Sequence, residues 1–329
     1  MNKQEDILNK SFQSCNINFL IGAGASIPAI DGLGNLEEEL KNLDNSENEK
    51  KLNEFIKKIL KSNSKLYNNK DDITKKTENN YNSFIKSLVI MLLNRKNTLI
   101  LPNINIFTTN YDLFLENACE NILQEPNIHF NYNDGFINKN NIFVKSIFDI
   151  SEYYKIIFYK SKIDYTASYI PNINIVKLHG SINWKIEKDN IIYNNLQNEI
   201  NDYNNIGIVL PTDEKFKSTV INRIYYSSLR YFSAELEREN TFLFAFGFSF
   251  RDEHINDIIK QALKTNYSLQ LFINYYSNEE YKRLKNVFNN YVNVQYLNAD
   301  KFKNIRHNKY DFEYINKELN NIVKDLQNE

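Results

Sequence analysis

Two cysteines, Cys15 and Cys119, are all that the 329 residues contain, and they stand far apart in no metal-ligand spacing. A structural zinc takes about four ligands, so a cysteine-based zinc module is excluded. So few thiols also suit a reducing cytoplasm. An excess of charge of either sign is missing too: 40 basic residues against 41 acidic ones leave a formal net charge of -1. The usual electrostatic ground for direct nucleic-acid binding is therefore absent. The pairs Lys57-Lys58 and Lys75-Lys76 are interleaved with carboxylates and asparagines and read as solvated helix faces. No run approaches the ~18 apolar residues of a membrane-crossing helix. The stretch from Met1 to Lys10 is too polar for a signal peptide. The expectation is a soluble, cytoplasmic protein without a membrane partner, and without a repeat, a Pro-rich linker or an appended sensor domain.

What is present is an alternation of apolar, β-branched runs with segments of helical period, which implies an α/β fold. The expected form is a Rossmann-like, mainly parallel sheet with helices on both faces. Core strands are expected at Asn18–Ile21, Ile104–Thr108, Ile173–Leu178, Ile206–Leu210, Thr241–Phe246, Leu269–Asn274 and Val292–Leu297. Helices are expected at Asn35–Leu43, Lys51–Ser62, Asn82–Asn94, Asp112–Ile122, Asp213–Arg238, Asp252–Thr265, Asn278–Asn289 and Tyr310–Gln327. Ser62 to Asn80, rich in Asn, Lys and Ser, reads as a mobile loop. The whole chain, 1–329, reads as one nucleotide-binding domain with insertions at about 37–96 and 131–169 that form a helical lobe. Asp189-Asn190 reads as the turn of a small hairpin.

The most informative stretch is Phe19-Leu20-Ile21-Gly22-Ala23-Gly24-Ala25-Ser26. A buried strand here turns sharply towards a helix, and glycines let backbone N–H groups approach a phosphate. Such a turn also occurs for packing alone. Other strands end in polar signatures that packing does not require: Thr109-Asn110-Tyr111-Asp112, Leu178-His179-Gly180-Ser181, Gly247-Phe248-Ser249-Phe250 with Asp252 and His254 beyond it, and Asn274. In an open parallel sheet, ligands bind outside the carboxyl ends of the strands near a topological switch point. Five signatures on one edge would converge on one crevice.

Plainer readings stand beside these. Asp112 suits a helix cap, and His179 suits a buried histidine satisfied by backbone. His254, in the first turn of a helix, reads as structural or solvent-facing. Trp184 reads as a packing anchor, and His129 and His307 carry no usable signal.

Taken together, Gly22-Ala23-Gly24-Ala25-Ser26, Thr109-Asn110-Tyr111-Asp112, Lys177-Leu178-His179-Gly180-Ser181, Gly247-Phe248-Ser249-Phe250 and Asn274 resemble the sirtuin-like NAD-binding family, in order and over most of the chain. The Thr-Asn-Tyr-Asp and Lys-Leu-His-Gly-Ser forms are most similar to the zinc-free bacterial NAD hydrolases of antiphage defence. Deacylases of the family usually carry a four-cysteine zinc ribbon and a Phe-Arg pair after the glycine motif. Here Ile27-Pro28-Ala29-Ile30-Asp31 follows instead. The resemblance implies NAD as substrate, without zinc. Gly22, Ala23, Gly24 and Ser26 would hold the pyrophosphate, with Thr109 beside them. Asn110 would orient the nicotinamide ribose and the attacking water, Asp112 would bind the carboxamide, and His179 would be the general base. Gly247, Ser249 and Asn274 would line the adenosine half. It further implies a homo-oligomer, or a defence partner such as a HerA-like ATPase or a short Argonaute.

Overall fold

The computed structural model describes residues 10–30, 45–95, 97, 99–137, 144–160, 167–195, 205–209, 219–297 and 312–328. In chain order the strands are β1 (Asn16–Ile21), β2 (Asn103–Thr108), β3 (Asn131–Asn133), β4 (Phe136–Ile137), β5 (Ile147–Phe148), β6 (Phe158–Lys160) and β7 (Ala167–Tyr169). They continue with β8 (Asn172–Lys177), β9 (Gly180–Glu187), β10 (Asn190–Tyr193), β11 (Ile206–Ile208), β12 (Thr241–Phe246), β13 (Gln270–Asn274) and β14 (Val294–Leu297). The longer helices are α1 (Asn45–Ser64), α2 (Asp72–Leu93), α3 (Phe114–Leu123), α4 (Thr219–Glu237), α5 (Glu253–Thr265), α6 (Asn278–Val287) and α7 (Phe312–Asn328).

One sheet runs β14-β13-β12-β1-β2-β8-β3, and every neighbouring pair in it is parallel. This is the α/β, Rossmann-like architecture that the alternation of apolar runs and helical periods implies. Both faces are covered, so the strands are mostly apolar on both sides, as along Thr241–Phe246, while β1, β2 and β8 each carry one buried asparagine, Asn18, Asn105 and Asn174. Successive side chains still divide between the faces. Phe19, Ile21, Ile106 and Phe244 pack with Tyr81, Phe84 and Leu88 of α2 and Phe114 of α3. Leu20, Phe107, Val176 and Leu243 pack with Leu229 and Phe232 of α4 and Ile259 of α5.

The chain builds outward from β1 to β2 and β8 on one side, then crosses to β12, β13 and β14 on the other. The order therefore reverses between β1 and β12, which is where a ligand crevice belongs in an open parallel sheet.

Three expectations need correction. Ser62 to Asn80 is mostly helix: α1 runs to Ser64 and α2 begins at Asp72. Asp71 caps α2 by accepting from Thr74 N–H at 2.8 Å. Thr74, Thr77, Glu78 and Tyr81, all buried, then form a helical stripe of mostly polar residues that an apolar count overlooks. Second, 131–169 holds no α-helix in its described part. β3 extends the main sheet beside β8, β4 and β5 pair with each other, and Ile150–Tyr154 is a short 3-10 helix. Third, the run at Ile206 is not a strand of the parallel sheet. β11 pairs antiparallel with β9 in a second sheet ordered β11-β9-β10-β5-β4. A short apolar run carries no signal for which sheet it joins.

The hairpin around Asp189 is present, with Asn190 opposite Glu187. Trp184 is buried against Phe136 and Phe148, the packing anchor expected of it. The expected helix Asn35–Leu43 and the first residues of those at Asp213–Arg238 and Tyr310–Gln327 lie outside the described residues.

Candidate active site

Because the seven strands are parallel, their carboxyl ends share one edge, and the five polar signatures all lie along it. At the switch point Ile21 and Phe246 are register partners, so Gly22 and Gly247 follow them side by side. The two ends touch. Gly22 N–H donates to Phe246 O at 3.1 Å and Gly24 N–H to Gly247 O at 2.9 Å. A Cβ added to Gly22 would lie 2.5 Å from Gly247 O, and one on Gly24 would lie 2.8 Å from Gly247 Cα. Gly247 itself has φ +63, the left-handed region that a side chain disfavours.

The glycines are thus required by the contact between two strand ends. The turn after Gly22 is a single 3-10 turn, Ala23–Ala25, rather than the start of a long helix. Its amides are mostly spent, since Ala25 N–H donates to Gly22 O and Ser26 N–H to Ala23 O. Ala23 is half-buried and Gly24 is exposed, and these two form the turn's outer surface. Ser26 faces inward: its Oγ is buried, 2.8 Å from Tyr81 Oη, and accepts from Asn110 Nδ2 at 3.2 Å. Burial holds the Tyr81 phenol well above its ordinary value, with the Asp112 carboxylate adding to the effect, so this hydroxyl stays neutral.

The segment after β2 is fixed from several sides. Thr109 N–H donates to Ile21 O at 3.2 Å, and Asn110 N–H to Thr108 Oγ1 at 3.1 Å. Tyr111 Oη donates to Val209 O at 2.8 Å. Lys177, at the end of β8 and 3% exposed, donates to the carbonyls of Asn110 and Asp112. Its Nζ also lies 3.2 Å from Glu116 Oε1 on α3, a buried ion pair that anchors the loop. Asp112 accepts from Phe114 N–H at 3.2 Å, a local contact two residues on. The N-cap of α3 is Leu113, which makes no side-chain capping bond, so Asp112 is not the cap that the plainer reading expects.

Within this frame Asn110 is 5% exposed, yet its Oδ1 has no hydrogen-bond partner among the described residues. Asn274, closing β13 and also buried, has its Nδ2 in the same state. A buried polar atom left unpaired costs ~1–3 kcal/mol, which a ligand can relieve.

β8 pairs with β2 so that Lys177 matches Thr108, and His179 and Asn110 each lie two residues further on. Gly180, at φ +78, turns the chain there; its Cβ would fall 2.0 Å from Gly207 O. His179 O accepts from Val209 N–H at 2.8 Å. The imidazole Nε2 lies 2.9 Å from Asp252 Oδ2, with the side chains 16% and 17% exposed. Ser249 is exposed, and its carbonyl accepts from Arg283. The edge therefore joins Ser26 to Asn110, Gly22 and Gly24 to Gly247, and His179 to Asp252. Asn274 stands one strand further out, beside β12.

The sequence motifs in this geometry match a known family: the SIR2-like domain matches residues 104–297, more than half of the chain. The chain belongs to the SIR2-like domain family. No curated protein matches it. SIR2-like domains bind NAD, so NAD-dependent activity follows as the general property of this one. The matched residues run from β2 to the end of β14 and include Thr109, Asn110, Asp112, His179, Gly247, Ser249 and Asn274. The Gly22–Ser26 turn precedes them in sequence and reaches the SIR2-like domain through Gly247. Among the described residues no group of His, Cys, Asp and Glu could hold a metal ion. None of the described helices is long and apolar enough to cross a membrane.

Sequence reasoning missed the Lys177–Glu116 anchor, the Tyr81–Ser26 contact and the Asp252–His179 pair. Only the last had a signal. Asp252 stands at a helix start just beyond the Gly247 signature, on the same edge of the sheet as His179.

Proposed function

We propose that the chain hydrolyses NAD to nicotinamide and ADP-ribose. The observation that carries this reading is Asn110, a buried amide in a loop anchored from several sides, whose acceptor oxygen nothing in the described protein fills. Membership of the SIR2-like family supplies NAD as the ligand. We assign the outer side of the Ala23-Gly24 turn to the pyrophosphate, with Thr109 beside it, and Gly247, Ser249 and Asn274 to the adenosine half. Asp112 is assigned to the nicotinamide carboxamide. Ser26 contributes through its hydrogen bond to Asn110.

The chemistry suits these residue types. Nicotinamide leaves as a neutral molecule from a cationic pyridinium, so no strong general acid is needed. Positive charge develops on the ribose in an oxocarbenium-like transition state, as in glycoside cleavage. Water oxygen bonds to the ribose carbon as the bond to the nicotinamide nitrogen breaks, and the water's proton passes to His179. The protein's task is to orient water and ribose and to meet the developing charge. An amide such as Asn110 offers a donor and an acceptor together, here one on Ser26 and one towards the ligand.

The motifs' resemblance to antiphage NAD hydrolases supports a setting in which NAD depletion arrests an infected cell. A constitutive activity of this kind would be toxic, so we propose control by homo-oligomerisation or by a partner such as a HerA-like ATPase or a short Argonaute. The test is incubation of the purified protein with NAD, with and without such partners, followed by product analysis. The expected result is nicotinamide and ADP-ribose, with Asn110→Ala and His179→Ala each reducing turnover by roughly 10²-fold or more. O-acyl-ADP-ribose formed only with an acyl-lysine peptide would overturn hydrolysis in favour of deacylation.

A further inference from the structure

The two oxygens of the Asp252 carboxylate meet different elements of the fold. Its Oδ1 accepts from Ile255 N–H at 3.1 Å, which caps α5. Capping uses only that oxygen. The other, Oδ2, reaches across to β8 and lies 2.9 Å from His179 Nε2. An ionised carboxylate only accepts hydrogen bonds, so the imidazole nitrogen facing it must carry a proton. In a neutral imidazole the second nitrogen, Nδ1, is then the one with a free lone pair. The helix N-terminus at Asp252 favours a negative charge there. Burial and the nearby Asp252 charge push the Tyr225 phenol above its ordinary range, and the Tyr225 ring lies 6.1 Å from that of His179. A neutral tyrosine is thus the wall on that side.

We propose that Asp252 is a positioning residue for His179: it holds the ring in the Nε2-protonated tautomer and directs Nδ1 as the base towards the water that attacks NAD. The inference deepens the NAD-hydrolase reading and rests on it. The logic is that of the serine proteases with the ring nitrogens exchanged: there the aspartate holds Nδ1–H and leaves Nε2 as the base, and replacing it by asparagine leaves the geometry intact but supplies the wrong tautomer.

Asp252→Asn is the decisive variant, because asparagine caps a helix about as well as aspartate and leaves α5 intact. In ¹⁵N-labelled protein the His179 ring should appear as the Nε2-protonated tautomer in the wild type and lose that preference in Asp252→Asn. The variant's kcat for NAD should fall by roughly 10²- to 10⁴-fold with little change in KM and an unchanged Tm. Asp252→Glu, which restores an acceptor-only carboxylate, should recover part of the rate and the tautomer. A wild-type ring protonated at Nδ1, or an Asp252→Asn variant with full kcat, overturns the proposal. An inactive wild type under every activating condition overturns the hydrolase reading instead, while the nitrogen spectrum still decides the tautomer.

Discussion

In the middle of the parallel sheet, Asn18, Asn105 and Asn174 stand in register on β1, β2 and β8. At the carboxyl edge of the same sheet stand Asn110 and Asn274. All five are buried, yet their bonding differs. Asn105 Nδ2 donates to Asn18 Oδ1 at 2.9 Å, and Asn174 Nδ2 to Asn105 Oδ1 at 2.8 Å. Tyr231 and Glu235 of α4 close the row from above. Only its outermost amide, Asn18 Nδ2, is left over. A second rung, Asn172 to Asn103 at 2.6 Å, borders a cavity of about 140 Å³ at the amino end of the strands. Of the amides lining that cavity, Asn103, Asn105 and Asn172 bond to other side chains through both ends, and Asn16 Nδ2 donates to Glu239 O at 2.8 Å. At the carboxyl edge there is no such pairing for Asn110 Oδ1 or Asn274 Nδ2 among the described residues. Void volume and buried polarity alone do not locate the chemistry. Unpaired polar atoms also occur elsewhere, at Thr74 and Ser228 among others, so those of Asn110 and Asn274 carry weight because they stand at the carboxyl edge of a parallel sheet.

The comparison makes stability and activity separable, and it breaks most visibly at Lys177. This buried cation bonds both to Glu116 and to the loop that holds Asn110. Lys177→Met leaves a buried carboxylate without its charge partner and should cost about 3–5 kcal/mol. NAD cleavage should be lost with it, because the loop's carbonyls lose their anchor; chemical denaturation and product analysis on one preparation check both. Next in size is Asn105→Ala. It strips partners from Asn18, Asn174 and Glu235 at once and should cost about 1–3 kcal/mol. At a temperature where the variant is folded, its kcat for NAD should match the wild type. A large loss of kcat there would show that the mid-sheet row serves the site and would end the contrast.

Much of this was legible in the sequence, for physical reasons that also mark the limits. Six of the seven expected core strands lie in the parallel sheet, because strands covered on both faces show as mostly apolar runs, which the single buried asparagines of β1, β2 and β8 interrupt without hiding. The exception, at Ile206, was three residues of β11 that carry no mark of their sheet. Strand-end residues such as Asn110, His179 and Asn274 could be read because a polar residue closing such a run has no packing role to explain it. Asp112 offered a capping reading that the fold does not realise, since α3 is capped at Leu113 and Asp112 instead accepts from Phe114 N–H. Three things were hidden. Gly22, Gly24 and Gly247 need one another, a fact of register between strands more than two hundred residues apart. Helix α2 opens on a polar stripe under an Asp71 cap, and composition read that as a loop. The Lys177–Glu116 pair depends on α3 packing beneath β8, which no local pattern encodes.

The smallest expected change in stability belongs to Asn110→Ala, and it discriminates best. The substitution removes the amide's hydrogen bonds to Ser26 at 3.2 Å and to the Tyr81 phenol, but also removes a buried acceptor that had no partner among the described residues. These effects oppose each other, so the net change should stay within about 1 kcal/mol. Ligand stabilisation should behave in the opposite way. Free NAD at a hundredfold excess over its Kd stabilises a folded site by roughly 2.7 kcal/mol, and the wild type and Asn105→Ala should show the same NAD-induced rise in Tm. Asn110→Ala should show little or none at the same concentration, since the acceptor that fits the ligand is gone. Calorimetry of the three proteins with and without NAD makes the measurement. If Asn110→Ala were strongly destabilised while keeping its NAD response, the unpaired oxygen would have a partner inside the protein, and the two groups of asparagines would be doing the same work.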